Sequence, residues 1–265
     1  MPIILEFLAS QLDRGLGLSS ISTYRSALSN YLPHIDGVPI GEHKLMTKFV
    51  KGVRNLKPTV PRYAQVWDTD IVITFLKNFD HSKLKNLTLK LTMLLALVTG
   101  QRAQTLSKLR ISEMEKHGDT VRFRIGGHLK TKLPGTAIIE FSRFTQNLAV
   151  CPVHLMDTYI ALTKDLRTDD FLFISFVKPF KAVHVDSIRR WIIHTMTLAG
   201  IDTSVYKAHS TRSASTSKAA QQQVNIDVIL KAGMWSNQST FAKFYKKPVT
   251  INEAVSFQNA VLNTK

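Results

Sequence analysis

The sequence predicts a mainly α-helical protein with a small antiparallel β-sheet, an α+β fold in two domains. Three observations predict it. Apolar residues recur at helical spacing over most of the chain. One stretch, TVRFRIGG, alternates instead, setting Val121, Phe123 and Ile125 against Arg122 and Arg124, and TAIIEF follows it as a second strand. Between two helical blocks lies KPTVPRYAQVWD, with two prolines and no periodicity. It reads as an interdomain linker, because proline disfavours helix and favours extended chain. The boundaries expected are residues 1–57 for a helical domain, 58–66 for the linker and 67–265 for the larger domain.

In the first domain, ILEFLASQLDRGLG repeats apolar residues as a helix does and stops at Gly15 and Gly17. SSISTYRSALSNYL opens on serine caps and places Ile21, Tyr24, Leu28 and Leu32 on one face. GEHKLMTKFVKGVRNL aligns Leu45, Phe49 and Val53, with Lys44, Lys48 and Lys51 off that stripe. In the second domain, Asp68 or Thr69 caps DIVITFLKNF, and KNLTLKLTMLLALVTG reads as a longer buried helix ending at Gly100. The segment between the two strands, HLKTKLPG, is a turn carrying two lysines. PVHLMDTYIALTKDL is a helix, and DDFLFIS a short buried strand or extended segment. VDSIRRWIIHTMTLAG starts at an Asp186 cap and stops at Gly200, and YKAHSTRSASTSKAAQQQ and NIDVILKAGMW continue as helices. Pro248 then breaks the chain before a last amphipathic helix, residues 250–262.

The 35 Lys and Arg against 19 Asp and Glu leave a net charge of +16. A polyanionic partner follows, since each cation that neutralises a phosphate releases a counterion. Nucleic acid is favoured over an anionic membrane, because no long basic amphipathic helix carries an aromatic face. The single cysteine, Cys151, excludes an intrachain disulfide framework and points to a reducing compartment. MLLALV is too short to span a bilayer, and MPIILEFLA lacks the basic start of a signal peptide.

The chain has no G-x-x-x-x-G-K-[ST], no G-x-G-x-x-G and no H-E-x-x-H. Asp169 and Asp170 are the nearest thing to a carboxylate pair for two metals, and a turn is the plainer role for them. What remains is a set of basic groups and a phenol. His209 and Arg212 in HSTR are three apart, so on a helix they share a face. Arg102 follows a buried helix and is placed to project from a rigid base into a cleft. Lys130 sits at the hairpin tip, where a long amine reaches a ligand, and Lys132 competes with it. Trp235 and Tyr245 read as core residues or as part of a site. Each is unremarkable alone; a surface salt bridge, a solvated lysine or a packed aromatic ring explains it equally well.

Their order is more specific. TGQRAQTLSKLR, IGGHLKTK, AHSTRSAS and AGMWSNQSTFAKFY together give Arg, hairpin Lys, His-x-x-Arg, Trp, Tyr. In this the chain resembles the tyrosine site-specific recombinases, which share their chemistry with type IB topoisomerases. FLASQLDRGLGLSSISTYRSALSNYL, IGEHKLMTKFVKGVRNLKPTVPRY, Trp67, GQR, W-S-N-x-S-T-F and K-F-Y are similar to the branch carried by eukaryotic mobile elements, the DIRS and Ngaro retrotransposons and the Cryptons.

The resemblance implies that Tyr245 attacks a DNA phosphodiester and forms a 3′-phosphotyrosyl link, with neither metal nor nucleotide cofactor. Arg102 and Arg212 would neutralise the phosphate, Lys130 would protonate the departing 5′-oxygen, and His209 would assist the tyrosine or bind the phosphate. Trp235 stands where many relatives have a second histidine; its N–H donates but shuttles no proton. Relatives usually carry an acid three positions after the first arginine, where this chain has Thr105, with Gln104 beside it. Relatives form a C-shaped clamp on double-stranded DNA, from a helical core-binding (SAM-like) domain and a catalytic domain. Arg25, Lys48, Lys51, Lys57 and Arg62 are the DNA-contact candidates. Relatives act as tetramers on two duplexes, a dimer on each site. The last helix, with Ile251, Val255, Val261 and Leu262, is expected on a neighbouring subunit or on its own domain. A eukaryotic member would work in the nucleus.

Overall fold

The structure, a computed structural model, describes residues 1–58, 63–126, 137–235 and 238–244. It divides into two compact units, Met1–Arg62 and Tyr63–Lys265.

The first unit holds three helices, α1 (Pro2–Asp13), α2 (Leu18–Tyr31) and α3 (Lys44–Leu56). α1 ends where Gly15 takes φ +92°, and α2 packs on both its neighbours. The expected serine cap of α2 is not used: Gly17 is the N-cap, and no side chain closes that end. Helix α3 is capped by His43, whose ring accepts from the Leu45 N–H at 3.2 Å. Its buried stripe is Met46, Val50 and Val53, whereas Leu45 is 46% exposed. Of the expected stripe only Leu45 turns outward; Phe49 still packs, half-buried, against the small core of Leu8, Ile40, Met46 and Val50.

The second unit is built around α5 (Leu84–Thr99), which is buried on nearly every side. Such a helix has no polar face and must be surrounded; here α7 (Pro152–Thr163), α8 (Val185–Leu198) and α9 (Ser210–Gln221) pack on it. Asp68 caps α4 (Thr69–Asn78) by accepting from the Asp70 N–H at 2.9 Å. The short α6 (Ala103–Leu106) follows α5 directly.

The sheet is three-stranded and antiparallel, in the order β1 (Met114–His117), β2 (Thr120–Ile125), β3 (Ala137–Ser142). Val121 faces Phe141 and Phe123 faces Ile139 across β2 and β3, all on the buried face. β2 and β3 are the two strands expected from the sequence; the turn expected between them lies outside the described residues, and β1 is additional. The DDFLFIS stretch is extended chain with isolated bridges, Arg110 to Phe171 and Ile174 to Ala182. Asp169 and Asp170 serve its loops: Asp170 accepts from the Ser112 N–H at 3.0 Å and Asp169 from the Ala182 N–H at 3.0 Å. Helix α8 begins one residue before Asp186, with His184 as its N-cap. Helices α10 (Ile226–Ala232) and α11 (Gln238–Phe244) close the described chain. The expected helix at 250–262 lies outside the described residues.

Candidate active site

The site is assembled where α5 and α10 end and α9 begins. α5 stops at Gly100, a left-handed C-cap with φ +59°. That turn delivers Gln101 and Arg102, and Arg102 is the N-cap of α6, its carbonyl accepting from the Thr105 N–H at 2.8 Å. The Arg102 side chain is half-buried. Among the described residues, none is hydrogen-bonded or ion-paired to its guanidinium.

α9 starts with His209 at its N-cap, exposed, and Arg212 in its first turn, only 1% exposed. Two features fix α9 to the start of this unit. Trp67 donates its indole N–H to Ser210 Oγ at 2.9 Å, and Lys218 pairs with Asp70 at 2.6 Å.

Arg212 spans two helix ends. Its Nη1 donates to the Gly100 carbonyl at 2.6 Å, and its Nη2 donates to the Gly233 carbonyl. Those carbonyls terminate α5 and α10, where the helix dipole concentrates partial negative charge, so a buried cation is favoured there. The guanidinium also lies 3.7 Å from the ring centroid of Trp235. The indole in turn crowds Gly233: a Cβ at that position would clash with the edge of the ring. Gln101, 3% exposed, donates to the Ala232 carbonyl at 2.5 Å, tying the same end of α10 to the α5–α6 turn.

Arg102, His209 and Arg212 line one cavity of about 540 Å³, together with Gln101, Arg189 and Lys207. Among the described residues that line it there is no carboxylate. Thr105, in the place of the usual acid, is 3% exposed and lies outside that lining, while Gln104 contributes to it. A cleft with several cations and no acid among its described lining residues is suited to a phosphate, which planar guanidinium groups meet with paired hydrogen bonds. Among the described residues, no cluster of three or more His, Cys, Asp or Glu is placed to hold a metal ion.

The structure therefore brings together Arg102, His209 and Arg212, with Trp235 stacked behind. Lys130, Lys132 and Tyr245 lie outside the described residues, as does Arg62. In the first unit, Lys48 and Lys51 are exposed on α3. Arg25 instead donates from Nε to the Gly41 carbonyl at 2.8 Å, with its Nη2 on the same oxygen, and Lys57 donates to the Leu12 carbonyl at 3.1 Å. Arg189 and Lys207 were not singled out from the sequence, where nothing separates them from solvated polar residues, and Gln101 entered only as part of the GQR motif.

A helical unit with a three-stranded antiparallel sheet and a cationic cleft of this kind has the fold of the tyrosine recombinase catalytic domain. The chain belongs to the phage integrase family, which matches residues 68–249. XerH site-specific recombinase, solved in a post-cleavage complex with palindromic difH substrate, is similar in fold. Its TM-score is 0.65 at 16% identity, over 97% of this chain and 72% of that one. The Tn1549 transposon integrase, solved with transposon right-end DNA, gives 0.60 at 16% identity, covering 98% and 84%. A lambda integrase dimer bound to a COC′ core site gives 0.56 at 17% identity, covering 92% and 78%. No curated protein matches the chain in sequence.

Proposed function

We propose that this chain is a site-specific DNA recombinase that breaks and rejoins duplex DNA through a 3′-phosphotyrosine intermediate. The observation that supports it most is the cavity in which Arg102, His209 and Arg212 meet with no carboxylate among the described residues that line it. Tyr245 attacks the scissile phosphorus and its phenolic proton passes to His209. The bond to the 5′-oxygen breaks, and Lys130 supplies that oxygen with a proton. Charge building on the non-bridging oxygens is met by Arg102 and Arg212, and a preorganised donor of this kind is worth about 3–4 kcal/mol of barrier. Rejoining runs the same steps backward on a 5′-hydroxyl, so the phosphodiester energy is conserved.

The sequence likeness to DIRS, Ngaro and Crypton recombinases supports a mobile-element enzyme that integrates or excises its element in the nucleus. In this reading, both units bind the duplex, with Lys48 and Lys51 against phosphates. Four copies act on two duplexes, coupled through the helix at 250–262. The test is a pool of nicked duplexes with a randomised core, incubated with wild type and Tyr245→Phe. The reading expects protein–DNA adducts that survive detergent with wild type and none with the variant. Adducts from both proteins, or from neither, would refute it.

A further inference from the structure

The cavity holds more basic groups than one phosphate needs. Arg102, His209 and Arg212 are accounted for by the proposed cleavage step. Lys207 and Arg189 line the same space and are not. Lys207 lies in the turn before α9, two residues ahead of His209, and is half-buried. Its ammonium donates to the Thr203 carbonyl at 2.6 Å, which fixes the amine while leaving its full charge. Arg189 comes from α8, where its Nη1 donates to Asp186 at 2.6 Å. That pair is more than half exposed, so Arg189 keeps part of its field and can exchange the carboxylate for a phosphate. Ile193, four residues further along α8, lines the same cavity.

Phosphates recur along a DNA strand at each nucleotide, about 3.4 Å apart in axial rise. A strand that sets one phosphate between Arg102 and Arg212 must therefore carry its neighbour close by. We propose that Lys207, assisted by Arg189, holds the phosphate adjacent to the scissile one, so that the site takes two consecutive phosphates of a single strand. This rests on reading the cavity as the scissile-phosphate site. A lysine suffices at the second position, because that phosphate gains no charge in the reaction and a single point charge can hold it. Prior tethering lowers the rotamer entropy lost on binding. The neighbouring contact would then set where along the strand cleavage falls.

The probe is thymidine 3′,5′-bisphosphate, in which one nucleoside separates two phosphates, against thymidine 5′-monophosphate. Binding is measured by calorimetry at low salt on wild type, Lys207→Ala, Lys207→Arg and Arg189→Ala. Wild type should prefer the bisphosphate about tenfold or more, the size expected of one added charge-assisted contact. Lys207→Ala should erase most of that preference and leave the monophosphate within about twofold. Lys207→Arg should keep it, which also controls for folding, and Arg189→Ala should cost less than Lys207→Ala. Equal binding of the two nucleotides by wild type, equal weakening of both by Lys207→Ala, or binding of neither would overturn the proposal. The nicked-duplex assay separates the two readings. Adducts without a bisphosphate preference sink the two-phosphate site alone; a Lys207-dependent preference without adducts sinks the cleavage chemistry alone.

Discussion

The guanidinium of Arg212 lies 3.7 Å from the ring centroid of Trp235, and the same indole occupies the space a side chain at Gly233 would need. Tryptophan here acts as a floor. It sets the plane of the arginine from below while the carbonyls of Gly100 and Gly233 hold its edges. A histidine at this position would offer a smaller ring and a second titrating group.

Removing the floor should slow chemistry more than it weakens DNA binding. A desolvated cation–π contact is worth up to about 2 kcal/mol, so Trp235→Ala should reduce the rate of adduct formation by roughly 10–30-fold. Trp235→Phe should retain most of the rate. Single-turnover assays on a nicked duplex give the rate, and filter binding gives the affinity. A Trp235→Ala enzyme as fast as wild type would contradict the buttressing role.

Gly233→Ala tests the close approach directly. The added methyl group must displace the indole or the end of α10, an overpacking cost of about 1–3 kcal/mol. A lowered thermal midpoint together with reduced adduct formation is expected. Gly52, exposed on α3 with open space around it, is the control: Gly52→Ala should leave the midpoint unchanged or raised.

The two arginines should separate stability from catalysis. Arg212→Ala strips the donors from two buried carbonyls, each costing about 1–3 kcal/mol when unsatisfied, and should destabilise the protein in urea as well as abolish cleavage. Arg102 is half-buried, and its guanidinium is bonded to none of the described residues. Arg102→Ala should change stability by no more than about 0.5 kcal/mol while cutting cleavage by about 10²–10³-fold. Parallel urea melts and adduct assays read both quantities.

A pH experiment isolates Lys90. This lysine is 0% exposed on α5, with its amine 3.3 Å from both the Phe79 carbonyl and the His81 ring. Burial pushes it below the ordinary lysine value of 10.5, and Asp80 pulls it partly back. Between the lowered folded value and 10.5 the unfolded chain binds more protons, so stability rises as pH climbs through that window. Below the window the buried charge is a burden. Lys90→Met should therefore match or exceed wild type near neutral pH, and the difference should move toward wild type by about pH 10–11. Urea melts across that range, wild type against variant, give the sign.

Helix α5 was the most legible element: the run MLLALV and the Gly100 stop predict a buried helix and its end, and both are observed. β1 escaped because three of the four residues of MEKH are exposed, leaving no alternation to detect. On α3, Leu45 and Met46 start two stripes of equal apolar quality, and only packing on the rest of the unit selects Met46, Val50 and Val53. Helix α9 begins at Ser210 and not at Tyr206, because the preceding residues form the turn that carries Lys207. Arg102, His209 and Arg212 stood out through their order along the chain, and the structure places all three around one cavity. Lys207 and Arg189 did not, since a basic residue declares itself only when two distant helices turn it toward the same space.

Both oxygens that grip Arg212 belong to peptide groups, and that has an evolutionary consequence. Replacing side chains around them cannot delete those acceptors without bending the chain itself. A lineage released from selection for strand transfer would keep this socket long after drift had removed His209, which sits exposed at the rim. An intact buried arginine in a descendant is therefore a record of ancestry, and the exposed histidine is the better witness to continued use.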